Sequence, residues 1–144
     1  MSAASSEQAV VETRHGSGPV TTLVVDDQES FRDAMRQLIA ATPGFTLVGE
    51  AATGEDALIA VEELNPKLVL MDVRMPGIGG IQAAQTLADC HPEVMVVLIS
   101  VHGPEELPAD LVGRETRAPF VLKKSLRPAV IRELWDRKQA GAPQ

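Results

Sequence analysis

The chain has 144 residues, 44% of them hydrophobic and 23% charged, with a formal net charge of −7. That size fits one domain, and that balance suits a folded globular chain whose surface as a whole is unsuited to nucleic acid. The longest apolar run, residues 94–99, is far short of a bilayer span; the single cysteine, Cys90, excludes an internal disulfide framework; and His15, His91 and His102 lack zinc-ligand spacing.

Residues 1–19 are rich in Ser, Ala, Gln and Gly, with no sustained period and no apolar segment of the secretory type, so a flexible tail is expected. The apolar, β-branched run 22–25 predicts a strand, and Phe31, Met35, Leu38 and Ile39 follow at helical spacing. Residues 45–48 predict a second strand, ended by Gly49. Ala57, Leu58, Val61 and Leu64 then mark an amphipathic helix, stopped at Asn65-Pro66. Residues 68–71 form a third apolar run, and Ile81, Ala84, Leu87 and Ala88 share a helix face after Gly80. Residues 94–99 are the fourth strand.

Pro104, Pro108 and Gly113 break the pattern between His102 and Pro119, which predicts a short or irregular fourth helix. Residues 120–122 predict a fifth strand. A last helix follows, with Leu126, Val130, Ile131 and Leu134 on one face and Pro128 in its first turn. Residues 139–144 look loose again, so the folded body is expected over 20–138. Residues 114–138 carry eight basic and three acidic side chains, either a solvated basic helix end or an electropositive docking surface.

Apolar runs alternating with helices imply a parallel sheet covered on both faces. Right-handed crossovers and a body of this size lead to a flavodoxin-like doubly wound (βα)5 domain, with a five-stranded parallel sheet ordered 2-1-3-4-5. Such a sheet carries its site at the carboxyl ends of the strands.

Those ends hold Asp26-Asp27, Asp72, Ser100 and Lys123. Singly, each has a plain reading: a helix cap, a turn residue before Pro76-Gly77, a loop hydroxyl, a solvated cation. Together they describe a chemistry. Three carboxylates at one edge repel unless a cation sits among them, and hard oxygens with open water positions suit Mg²⁺. A carboxylate can attack phosphorus, while Mg²⁺, the Lys123 ammonium and the Ser100 hydroxyl can each neutralise a phosphoryl oxygen.

From about Thr21 to Lys138 the chain resembles the CheY-like receiver domain of two-component response regulators. The resemblance rests on Leu23-Val24-Val25-Asp26-Asp27, Asp72-Val73-Arg74-Met75-Pro76-Gly77 with Gly80, Ser100, and Phe120-Val121-Leu122-Lys123. Val48-Gly49-Glu50-Ala51 and the run 70–77 look most like receivers of LuxR-type regulators.

The resemblance implies Asp72 as phosphoacceptor, with Asp26, Asp27, Asp72 and the main-chain carbonyl of Arg74 organising Mg²⁺. It implies Lys123 as the phosphoryl partner, Ser100 as switch hydroxyl and Phe120 as switch aromatic. Lys124 competes for the cation role, but Lys123 stands at the family spacing from Phe120. Arg74, Val101 and His102 occupy positions that modulate phosphoryl lifetime or access, and Val101 is larger than the family's usual residue.

The expected donor is a sensor histidine kinase or phosphotransfer protein. The expected output is a protein target, or a second copy of the chain, bound through the fourth helix, strand 5 and the last helix. A cytoplasmic location without membrane contact is expected. The chain ends six residues after Lys138, so direct DNA binding by this chain is not expected. Self-catalysed phosphorylation and dephosphorylation turn over no metabolite, so the expectation is a signalling domain rather than an enzyme. An adaptor that docks without phosphorylation is the alternative. A phosphohydrolase ranks last, since Arg74 stands where such enzymes carry a second acid.

Overall fold

A computed structural model describes residues 18–101 and 118–141. The expected N-terminal tail, apart from Gly18 and Pro19, the fourth helix and His102 lie outside them. Among the described residues are β1 (Val20–Val25), α1 (Glu29–Ala40), β2 (Phe45–Ala51), α2 (Gly54–Leu64), β3 (Leu68–Asp72), α3 (Gly79–Cys90), β4 (Met95–Ser100), β5 (Phe120–Leu122) and α4 (Pro128–Gly141). The five strands form a parallel sheet in the order β2-β1-β3-β4-β5. The expected doubly wound architecture is the one observed.

Strand side chains alternate between two apolar layers. Val20 and Val24 of β1, Leu68 and Leu70 of β3, and Met95, Val97 and Ile99 of β4 pack with Met35 and Ile39 of α1 and Ile131 of α4. Leu23 and Val25, Val69 and Met71, and Val96 and Leu98 face the other way, onto Ala57 and Val61 of α2 and Ile81, Ala84 and Leu87 of α3. Because both faces are covered, the central strands read as unbroken apolar runs. Trp135 of α4 packs on the first layer, edge-on to Phe45 of β2 with ring centres 6.4 Å apart.

Two element ends lie three residues beyond the sequence expectation. Gly49 does not end β2, which continues to Ala51. The glycine instead permits a close approach, since a Cβ there would lie 2.5 Å from Cδ1 of Leu64. Thr22 and Leu23 of β1 pair with Leu47 and Gly49, so Val48 is the extra residue of a bulge. The last helix also continues past Lys138 to Gly141, because Gln139 and Ala140 are ordinary helix residues and no breaker precedes the glycine. The loose tail expected from 139 therefore does not begin there. By contrast, α2 stops at Asn65, which takes the left-handed conformation (φ 52°) ahead of Pro66.

Candidate functional site

Alternation along the strands decides where the polar ends project. Asp26 continues the parity of Val24, and Asp72 that of Leu70, so both carboxylates leave the sheet on the α1 side. Asp26 is fully buried and Asp72 nearly so, whereas Asp27 is exposed. One oxygen from each of the three carboxylates lies within 4.8 Å of the others.

Lys123 opens a 3₁₀ turn (Lys123–Ser125) directly after β5 and extends its ammonium into this cluster. Nζ stands 3.1 Å from Asp26 Oδ2 and 3.7 Å from Asp72 Oδ1. Lys124 is exposed. Ser100 is buried at the end of β4, in register with Leu122 of β5. Phe120 is half-buried against the α2–α3 layer, in register with Leu98. Arg74 and Val101 are exposed.

Asp26 is held from several directions. Its Oδ1 accepts the Gln28 backbone N–H at 2.9 Å, and its own N–H donates to the Ala51 carbonyl at 3.0 Å. It is not a helix cap, since α1 has Gln28 at its N-cap with no side-chain capping bond. Oδ2 has the Lys123 ammonium nearby but, among the described residues, no donor in hydrogen-bond alignment. Burial, then the charge of Asp26, pushes the Asp72 carboxyl up to about 6, against the pull of Lys123 and a hydrogen bond from the Arg74 backbone. A crowded set of hard oxygens, one buried and incompletely satisfied, fits a small divalent cation.

Two residues at the site, Arg32 and Phe31, escape the sequence reading. Arg32 of α1 donates to the Asp26 main-chain carbonyl at 2.7 Å and to Glu50 Oε1 at 3.2 Å, tying the end of β1 to the end of β2. Arg36 donates to Glu50 Oε2 at 2.7 Å, and this bond leads the effects that lower the Glu50 pKa. Phe31, read only as part of an apolar stripe, lies with its ring centre 4.0 Å from the Lys123 ammonium. The available signal was position: both residues fall in the first turns of the helix that follows the acidic pair.

The response regulator receiver domain model matches residues 22–135. This chain belongs to the response regulator receiver family. It is 40% identical over 93 residues to the response regulator GacA of Pseudomonas protegens, covering 65% of this chain and 44% of that protein. It is 38% identical over 124 residues to the nitrate/nitrite response regulator protein NarL of Escherichia coli, covering 85% of this chain and 56% of that one. The receiver thus spans about half the length of these relatives. The signal receiver domain of NarL from Mycobacterium tuberculosis superposes with a TM-score of 0.73 at 30% identity, over 87% of this chain and 99% of that one. Among the described residues, no helix is long and apolar enough to cross a membrane.

Proposed function

We propose that this receiver accepts a phosphoryl group on Asp72 from a phosphohistidine donor and passes the change to a protein partner. The observation that carries the reading is a nearly buried Asp72 carboxylate beside two further carboxylates, with the Lys123 ammonium 3.7 Å away. Attack by an Asp72 oxygen forms a P–O bond as the donor's P–N bond breaks, and the electron pair returns to the imidazole nitrogen. Lys123 offsets charge on one phosphoryl oxygen and Ser100 donates a hydrogen bond to another. Asp26, Asp27, Asp72 and the Arg74 main-chain carbonyl are the groups that would hold Mg²⁺, which when bound supplies further neutralisation of phosphoryl charge. Hydrolysis by water releases inorganic phosphate and returns the free carboxylate.

Phosphorylation shifts a two-state equilibrium in which Ser100 moves toward the phosphate and Phe120 moves inward. Arg74, Val101 and His102 tune the lifetime of the phosphorylated state. The output face includes β5 and α4, and it binds a protein target or a second copy. Part of the basic charge on α4 is already engaged: Arg137 pairs with Glu133 at 2.6 Å and Arg132 with Asp136 at 3.9 Å. Such exposed pairs are worth only a few tenths of a kcal/mol, about 0.3–0.5, and leave the helix able to exchange partners. The cytoplasm is the working compartment under this reading.

A Mg²⁺-dependent assay with a small phosphodonor, read by intact mass and mobility shift, tests it. The expected result is one added phosphoryl group on the wild type and none on Asp72→Ala. Uptake persisting in that variant would overturn the acceptor assignment. No uptake by the wild type from high donor concentrations or candidate kinases would favour the phosphorylation-independent adaptor.

A further inference from the structure

The apolar stripe of α1 does not end in the core. Met35 and Ile39 are buried at 1% exposure under the sheet, but Phe31, one turn nearer the site, is only partly buried. Alternation puts Asp26 and Asp72 on this same side of the sheet, and Lys123 brings its ammonium to them. The stripe therefore ends at the charged cluster, and Phe31 meets a cation there, with Lys123 Nζ 4.0 Å from the ring centre.

An aromatic face carries negative charge density that an aliphatic side chain of similar volume lacks. A lysine side chain is long and flexible, and an ammonium is strongly hydrated. The Lys123 side chain is only 13% exposed, so the ring acts on a partly desolvated charge, where the attraction is greatest. Asp26 and Asp72 attract the same ammonium, but both are groups that a bound cation or phosphoryl group would engage. Phe31 is a neighbour whose attraction survives that change.

We propose that Phe31 is the positioning residue for Lys123, holding the ammonium beside Asp72 before a phosphoryl group arrives and keeping it there when the carboxylates take other partners. The proposal rests on the reading of Asp72 and Lys123 as the phosphorylation site. Phe31 touches no reacting atom and acts through the lysine alone.

The first test is nuclear magnetic resonance on the metal-free protein. The ε-methylene protons of Lys123 are expected upfield of the ordinary lysine range, through the ring current of Phe31. In Phe31→Leu, which keeps apolar volume for the core, they return to the ordinary range; in Phe31→Tyr they stay upfield. Phosphorylation from a small phosphodonor with Mg²⁺ is expected to slow by roughly threefold to thirtyfold in Phe31→Leu, the range of a partly desolvated cation–π contact. The tyrosine variant is expected to keep the wild-type rate within about a factor of two, because the π face is retained.

Urea unfolding of both variants separates positioning from packing. Equal slowing in the leucine and tyrosine variants, tracking lost stability, would overturn the proposal. So would ordinary Lys123 shifts in the wild type, or a wild-type rate in Phe31→Leu. A wild type that takes up no phosphoryl group while showing the upfield signal overturns the phosphorylation reading, and with it this role for the contact, without touching the contact itself.

Discussion

Asp72 is held in a place that disfavours its charge. In the unfolded chain its carboxyl titrates at its ordinary value of 3.8, whereas in the fold burial and Asp26 push it up to about 6. The folded state therefore binds more protons between these values, and stability falls as pH rises through that window. The favourable contribution is complete below the unfolded value and lost above about 6. With chelator present, Asp72→Asn is expected to be more stable than wild type at pH 7.5 by about 1–3 kcal/mol, and to lose that advantage near pH 4. Urea unfolding at both pH values reads this directly. Mg²⁺ should raise the wild-type melting temperature in a concentration-dependent manner, with Asp26→Ala losing most of the effect. Asp26, Asp72 and Lys123 were legible in the sequence because each ends an apolar run abruptly. Phe31 and Arg32 were not, because on an amphipathic helix an apolar and a basic residue side by side read as an ordinary boundary between faces. Strand parity was the missing step, since it sends both acids toward α1.

At the scale of elements, the junction between β3 and α3 governs how Asp72 is presented. Gly80 lies so close under the strand end that a Cβ would fall 2.0 Å from the Asp72 carbonyl oxygen and 3.0 Å from Val73 Cα. Its N–H donates to the Val73 carbonyl at 2.9 Å. The obstacle is backbone, which cannot swing aside as a side chain can. Gly80→Ala is expected to cost at least about 3 kcal/mol in urea unfolding and to displace the acceptor loop, lowering phosphodonor uptake as well. Gly49→Ala meets the tip of Leu64 instead, a flexible side chain, and should cost clearly less. Both glycines were visible in the sequence, Gly49 as punctuation and Gly80 as part of a motif, but neither with its packing reason. Gly49 read as a strand end because sequence pattern does not distinguish a breaker from a residue kept small for a neighbour distant in the chain. The end of α4 was missed for the opposite reason, since nothing local in Gln139 and Ala140 favours either helix or tail.

At the scale of the whole molecule, chain order alone carried the architecture. Five apolar runs separated by helical stretches admit few layered arrangements once crossovers are right-handed, and the observed sheet order is among them. The two apolar layers predict where damage spreads. Leu70, fully buried in the central strand β3, faces α1 and α4. Leu70→Ala is expected to lower stability by about 2–5 kcal/mol, measured by urea unfolding, while Ile59→Ala, at a side chain 55% exposed, should change it by less than about 0.5 kcal/mol.

Local opening should not be uniform over this sheet. β1 and β3 are flanked by strands on both sides, whereas β5 is three residues long, partly exposed throughout and, among the described residues, paired only with β4. Its amides should exchange with deuterium orders of magnitude faster than those of β1 and β3, because a short edge element can detach without unfolding the rest. The ammonium at Asp72 is thus carried by the turn that follows the strand expected to open first. Each detachment withdraws the lysine, and any ligand that grips the ammonium also fastens the strand. Occupation of the acidic site should therefore be readable at Val121 as slowed exchange, two residues from the lysine and on the margin of the sheet.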